Sequence, residues 1–282
     1  MTCEVTNTPM VRLLLPSRAE SLTLARSMVA GLAEGAGLGE RHLNAMRTTI
    51  SEASNNVVAH AYGDDSGPLS ISVAVLSGGV DVLVQDRGGG IRRVVPASDR
   101  MGLGLAVISS LADRAEFVRR PGGGTEVHMF FRDVGAPEDG FPSSAGRHLD
   151  EPVALGGDVV ASVSPASLTA HVLGRLSRAV ASQSRFSVAR ISDLREITAA
   201  LASSMVTAGI CPIWFSLDAS SRRLELRIGP LDRGAAMQVG QTAATPAGVS
   251  LADLVDDLAV DQSGVHEFLR AVVIDKRERN CP

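Results

Sequence analysis

The spacing of hydrophobic residues predicts both helices and strands in the first half of the chain. Hydrophobic side chains recur at helical intervals from Ala25 to Leu32 and from Leu43 to Val57, which gives each stretch one apolar face. Short apolar or alternating runs indicate strands at residues 11–15, 69–76, 80–84 and 125–131, and residues 105–111 read as a helix. The predicted order is therefore strand, helix, helix, strand, strand, loop, helix, strand.

The second half repeats this outline. Strands are predicted at residues 159–163, 213–217, 224–228 and 267–274, and helices at residues 166–182, 191–205 and 251–258. Two short stretches also recur: "TTISEA" resembles "ARISDL", and "GLGLAV" resembles "GVSLAD". Residues 134–157 are rich in Gly, Pro, Ser and Asp, which is typical of a linker. We therefore expect duplicated domains at residues 1–133 and 158–282, with chance similarity of two α/β domains as the alternative.

Composition excludes several classes of partner. The formal net charge is −4 and aromatic residues make up 3% of the chain, which disfavours direct nucleic-acid binding. The 3 cysteines have no metal-binding spacing and fit a reducing cytoplasm. The uncharged stretch between Glu196 and Asp218 contains a Gly-Ile-Cys-Pro break, so it predicts a helix end and a buried strand. We expect no membrane contact and a cytoplasmic location.

Glu52 and Asn56 are the first candidates for chemistry. They lie four residues apart on the second predicted helix and therefore project from the same side. An amide oxygen can hold Mg²⁺, which takes oxygen ligands, and a carboxylate one turn away can orient or deprotonate an attacking hydroxyl. Taken alone, such a pair also fits an ordinary solvated helix face.

Three glycine-containing motifs follow in order along the chain. Asp86 ends a strand and precedes Gly88 and Gly90, and its carboxylate could accept a hydrogen bond from an adenine amino group. Gly102, Leu103 and Gly104 are expected to open a helix and to offer backbone N–H groups to phosphate. Gly124 and Thr125 begin the last strand. Each motif taken alone also fits an ordinary turn or loop.

The order and spacing of these four elements resemble the histidine-kinase-like (Bergerat) ATPase superfamily over residues 10–132. Within that superfamily, "SEASNNVVAHAY" and "MGLGLAVISSLAD" look like the bacterial anti-sigma-factor serine kinases. The resemblance implies an α+β fold: a two-layer α/β sandwich with a mixed sheet and helices on one face. With the repeat, this fold is expected twice, once intact and once degenerate.

The resemblance also implies a role for each residue, with ATP and Mg²⁺ as cofactors. Asn56 would be the magnesium ligand, Glu52 the general base and Asp86 the adenine-binding carboxylate. The remaining nucleotide contacts would come from Asn55, Gly88, Gly90, Gly102, Leu103, Gly104 and Thr125. The implied function is phosphorylation of an anti-sigma antagonist of the STAS type, together with binding of a sigma factor.

Two features favour a non-catalytic, nucleotide-gated binding module as the alternative. The segment Ile91–Met101 is short for a nucleotide lid and contains arginines (Arg92, Arg93 and Arg100) but no lysine. The second domain has also lost the motifs when Ile50 is aligned with Ile191, which places Asp193 at Glu52, Ile197 at Asn56 and Gly229 at Asp86. A third possibility, an ATP-driven clamp of the gyrase type, would need a transducer domain instead of a second copy.

The second copy bears on the oligomeric state. The related kinases act as homodimers, so a silent copy in the same chain could take the place of a partner subunit. We therefore expect either a monomeric pseudo-dimer or a homodimer.

Overall fold

The computed structural model describes residues 10–89, 99–134 and 155–276, with the side chains of residues 99–102 excepted. The chain divides into two compact units, residues 1–151 and 152–282. Most of the predicted linker at 134–157 and of the predicted lid at Ile91–Met101 lies outside the described residues. The domain boundaries given above therefore stay predictions.

The first unit is an antiparallel sheet covered by helices. Its sheet order is β4-β5-β3-β2-β1, and each adjacent pair is antiparallel. Helix α1 packs on β1, and α2 packs on α1, α3 and β3. The strands are β1 (Met10–Pro16), β2 (Pro68–Leu76), β3 (Gly79–Asp86), β4 (Arg114–Arg119) and β5 (Thr125–Arg132), and the helices are α1 (Ser21–Ala36), α2 (Glu40–His60) and α3 (Asp99–Leu111).

The core of the first unit follows from the two predicted periodicities. Every second residue of β1 is buried, and these residues meet the apolar faces of the first two helices. The fully buried set includes Leu13, Met28, Leu32, Met46, Ile50 and Ile71. Burial of a Leu, Ile or Met side chain contributes roughly 1.5–3 kcal/mol, so this layer between helices and sheet holds α2 in place.

Three expectations for the first unit were wrong in detail. The sheet is antiparallel and not mixed, because α3 returns the chain to β4, which lies beyond β5. Strands β3 and β4 run in the same direction but are not neighbours. Strand β4 was not predicted, because it is an edge strand whose residues are only partly buried and carry no clear apolar alternation. Helix α3 begins at Asp99, before Leu105, so Gly102 and Gly104 lie inside the helix.

The second unit has the same order of strands, but two helices lie between its third and fourth strands, where the described part of the first unit has one, α3. Its sheet runs β9-β10-β8-β7-β6, again with antiparallel neighbours. A short 3-10 turn at Ala166–Leu168 precedes its first helix. The strands are β6 (Val159–Ser164), β7 (Ile213–Ser220), β8 (Arg223–Leu231), β9 (Asp257–Ser263) and β10 (His266–Ile274), and the helices are α4 (Thr169–Gln183), α5 (Val188–Thr207), α6 (Ala235–Thr242) and α7 (Leu251–Leu254).

The predicted helix at 251–258 was wrong in its second half. Helix α7 ends at Leu254, and Leu258, which completed the apparent helical stripe, belongs to β9. Helix α6 lies in the stretch that was expected to be a loop. It has eight residues, including Gly240, and this short length and small apolar face gave little periodic signal.

The stretch between Glu196 and Asp218 forms the end of α5 and most of β7, as predicted. Among the described residues, no helix has both the length and the apolar character that a membrane crossing requires.

A buried histidine–aspartate pair links two strands of the first unit. His128 of β5 donates from Nε2 to Oδ1 of Asp81 of β3 over 2.5 Å, and each side chain is 2% exposed. Burial lowers the pKa of His128 from the ordinary value of 6.5. His128 is therefore protonated less readily in the folded chain than in the unfolded chain, where its imidazole accepts a proton below about pH 6.5.

This pair predicts that acidification destabilises the fold. Between pH 7.5 and 5.5 the urea midpoint of unfolding should fall, because protonation favours the unfolded chain, and the fall should be smaller in His128→Gln. Far-UV circular dichroism of the full chain measures both midpoints. His60→Gln, which removes an exposed histidine of α2, serves as the control. Equal pH dependence of His128→Gln and the unaltered chain would refute the assignment.

Candidate functional site

The structure brings Glu52 and Asn56 against helix α3. Both side chains are half-buried on α2, one turn apart. A Cβ atom placed on Gly104 would lie 3.1 Å from Oε2 of Glu52 and 3.5 Å from Oδ1 of Asn56. Because Gly104 has no side chain, the backbone of α3 can approach these two polar side chains closely. Carboxylate and amide oxygens are hard ligands of the kind that Mg²⁺ takes, so the donor set fits this metal.

No group of three or more His, Cys, Asp or Glu side chains suited to a metal ion occurs within the described ranges. A protein cage for a metal is thus absent from this part of the chain. An ion next to Asn56 would need further oxygen ligands from phosphates or water, which is the usual situation for magnesium bound together with a nucleotide.

Asp86 and the start of β5 form the second part of the site. Asp86 is 3% exposed, and its Oδ1 accepts the N–H of Gly88 over 2.8 Å. Gly124 passes so close to the carbonyl oxygen of Asp86 that a Cβ would overlap it, and Gly124 has φ +90, which favours glycine. Thr125 follows at the first position of β5 and is partly exposed. The strand-end carboxylate and the Gly-Thr pair are therefore neighbours.

The end of helix α2 holds the loop that follows Asp86. Gly89 donates its N–H to the carbonyl oxygen of Ala61 over 2.8 Å, and a Cβ on Gly88 would overlap the same oxygen. The hydroxyl of Tyr62 accepts the N–H of Arg87 over 2.7 Å. Tyr62 was not among the predicted site residues. The available signal was that Tyr62 is the single tyrosine of the chain and follows the helix that carries Glu52 and Asn56.

The other predicted site residues are placed less completely. Gly104 is buried, Leu103 is 64% exposed, and Gly102 lies in the first turn of α3. Asn55 is exposed, on a different side of α2 from the half-buried Asn56. Gly90, Arg92 and Arg93 lie outside the described residues, as does the side chain of Arg100. The nucleotide contacts assigned to all of these residues stay predictions.

The burial patterns of the two units correct the alignment used above. Helix residues with the same burial lie at a constant offset of 148: Leu24, Met28 and Leu32 of α1 correspond to Val172, Leu176 and Val180 of α4. Met46, Ala53 and Val57 of α2 likewise correspond to Leu194, Leu201 and Met205 of α5. The short match of Ile50 with Ile191 was therefore seven residues out of register.

This offset changes the counterparts of the site residues. Ala200 stands where the first unit has Glu52, and Ser204 stands at Asn56. Strand pairing places Pro230 at Asp86. Leu13 pairs with Ile71, and Ala161, 148 residues later, pairs with Phe215, so Ile71 and Phe215 are equivalent. Their partners on the next strand are Val84 and Ile228, and Asp86 and Pro230 each lie two residues further along. The expected counterparts Asp193, Ile197 and Gly229 were thus wrong. The second unit therefore has no carboxylate or amide side chain at these three positions.

Comparison with known proteins supports the first unit's resemblance. Residues 15–131 match the family described as the histidine kinase-like ATPase domain. The chain is 26% identical over 148 residues to the serine-protein kinase RsbW of Bacillus thuringiensis (strain Al Hakam), covering 48% of this chain and 92% of that protein. It is also 26% identical over 151 residues to RsbW of Bacillus mycoides (strain KBAB4), covering 49% and 94%.

Among solved structures, the chain matches one titled "Structure of crystal form III of TP0453" with a TM-score of 0.31 and 7% identity, covering 94% of this chain and 90% of that one. That likeness is too weak to carry an argument. The match to the family covers the segment that contains Glu52, Asn56, Asp86, Gly104 and Thr125. The expected resemblance is confirmed: residues 15–131 match the histidine kinase-like ATPase domain family.

Proposed function

We propose that the first unit binds ATP with Mg²⁺ and transfers the γ-phosphoryl group to a serine hydroxyl of a partner protein. The observation that carries this proposal is the close approach of Gly104 in α3 to Oε2 of Glu52 and Oδ1 of Asn56. The similarity to serine-protein kinases supports the same chemistry. Bound Mg²⁺ would neutralise charge on the phosphates, and the side chains would supply position and proton transfer.

Each side chain has one task in this proposal. Asn56 holds the metal through its amide oxygen, and the carboxylate of Glu52 orients the serine hydroxyl and accepts its proton. Asp86 binds the adenine amino group, and its position is fixed by Gly88 and Gly124. Thr125 supports the adenine side, while the first turns of α3 at Gly102, Leu103 and Gly104 face the phosphates.

The proposed partners follow from the resemblance to anti-sigma serine kinases. The phosphate acceptor would be an anti-sigma antagonist of the STAS type, and a sigma factor would be the second partner. The chain would then regulate transcription without touching DNA, which agrees with a net charge of −4.

We further propose that the second unit is a degenerate copy produced by duplication. The shared strand order and the constant offset of buried helix positions support a common origin. Ala200, Ser204 and Pro230 cannot supply the metal ligand, base and adenine carboxylate. Helix α6 of the second unit packs on α5, β8 and β10, and two of its side chains, Ala236 and Val239, are almost fully buried. Such a copy could replace a partner subunit, which would make the chain a monomeric pseudo-dimer; a homodimer is the alternative.

The second candidate function is nucleotide-gated binding without phosphoryl transfer. It is favoured by the segment Ile91–Met101, whose positive charges are all arginines and which contains no lysine. In that case ATP would change the affinity for a partner, and Glu52 would not matter for regulation.

Replacement of Glu52 separates the two candidates. Glu52→Gln should leave the ATP dissociation constant within about threefold, because the base acts on the acceptor hydroxyl, and should slow phosphoryl transfer roughly 10²–10⁴-fold. Transfer is measured with labelled ATP and partners captured in an ATP-dependent pull-down, followed by phosphosite mapping. Glu40→Gln, at the start of the same helix, is the control. Tight ATP binding with no transfer by the unaltered chain to any captured partner would support the binding module.

Replacement of Asp86 tests two proposals: that Asp86 binds adenine, and that the second unit binds no nucleotide. Asp86→Asn should weaken ATP binding by about 10- to 100-fold, because a hydrogen bond to a charged group is lost. Isothermal titration of the unaltered chain should give one ATP per chain. Asp65→Asn, an exposed carboxylate in the turn after α2, should bind as the unaltered chain does. A second ATP per chain that survives Asp86→Asn would mean that the second unit binds nucleotide.

A further inference from the structure

Tyr62 links three segments that meet behind the adenine-binding carboxylate. Its hydroxyl accepts the N–H of Arg87 over 2.7 Å and donates to the carbonyl oxygen of Pro68 over 2.6 Å. Burial raises the pKa of Tyr62, so the hydroxyl stays protonated and able to donate at neutral pH. We call this pair of hydrogen bonds the Tyr62 brace. It joins the end of α2, the start of β2 and the loop after Asp86.

The surroundings leave the tyrosine ring little freedom. A Cβ on Gly67 would overlap the ring, so the absence of a side chain at that position makes room for it. The hydrogen bond from Gly89 to Ala61 and the close approach of Gly88 to the same residue hold the loop at two further points. These contacts therefore join the loop after Asp86 to the end of α2, the helix that carries Glu52 and Asn56.

The second unit provides an internal comparison. The segment that connects α5 to β7 there, residues 208–212, contains no side chain with a hydroxyl group. The strand-end carboxylate is replaced there by Pro230. The hydroxyl and the carboxylate are thus both present in one unit and both absent from the other. This is expected if the brace serves the carboxylate and not the fold, since both units form the same sheet.

We infer that Tyr62 is a positioning residue that sets the Asp86 carboxylate relative to Glu52 and Asn56 and thereby determines the preference for adenine. Asp86 reads the base, whereas Asn56 and α3 serve the phosphates, so a shift of the loop alters base recognition more than phosphate recognition. The nucleotide part of this inference rests on the proposed function; the brace itself does not.

The test compares Tyr62→Phe with the unaltered full chain, first without nucleotide. Loss of the hydroxyl should accelerate hydrogen exchange of the Arg87 amide at least about fivefold, the change that one neutral hydrogen bond typically brings. Gly67→Ala should produce the same acceleration by displacing the ring while all nucleotide-site residues remain. Thr49→Val is the control, because its hydroxyl bonds only to the backbone of its own helix. Unchanged exchange at Arg87 in both Tyr62→Phe and Gly67→Ala would overturn the brace, whether or not the chain binds ATP.

The second measurement is nucleotide preference. Tyr62→Phe should raise the dissociation constant for ATP about fivefold and change that for GTP less, so the ratio of the two constants should shrink. Guanine carries a carbonyl where adenine carries the amino group that Asp86 would bind. A purely structural role would weaken both nucleotides alike, and that result would overturn the positioning role. Faster exchange at Arg87 in a chain that binds no nucleotide would support the brace and contradict the proposed function.

Discussion

The site depends on how closely helix α3 approaches helix α2, and that distance is possible because residue 104 has no side chain. Oε2 of Glu52 lies 3.1 Å from the point where a Cβ on Gly104 would be. A side chain at this position would press against the two polar side chains of α2. An internal glycine costs the helix roughly 0.5–1 kcal/mol relative to alanine, and it allows this close approach.

The two units share their buried helix positions and differ at the candidate site residues. Most buried positions of α1 and α2 correspond to buried positions of α4 and α5 at the offset of 148, and they are apolar or small in both units. The half-buried Glu52 and Asn56 correspond to Ala200 and Ser204, which are buried, and α5 packs on α6 and α7. The apolar positions shared by the two units are therefore compatible with either pair of residues.

Much of the fold could be predicted because its central elements are buried on a regular period. Helices α1 and α2 and strands β2 and β3 have clear apolar faces, and they lie where the pattern places them. Edge strands β4 and β9 are partly exposed and carry no such pattern. The pairing direction of the sheet could not be derived from periodicity, since it depends on where α3 returns the chain. The correspondence between residues of the two units could be found only from the burial pattern, because the short sequence likeness around Ile50 and Ile191 gave a false match.

The candidate site was predictable to the extent that its residues lie in ordered motifs. The helical spacing of Glu52 and Asn56 and the position of Asp86 at a strand end are both visible in the sequence. The contact of Tyr62 with Arg87 joins residues 25 positions apart and has no periodic signature. Gly104→Ala tests whether the close approach of α3 to α2 serves nucleotide binding. Because alanine favours the helix, the thermal midpoint should be unchanged or higher, while the added methyl group should weaken binding of Mg²⁺ and ATP at least about tenfold. A variant that binds ATP as tightly as the unaltered chain would show that binding does not depend on this close approach.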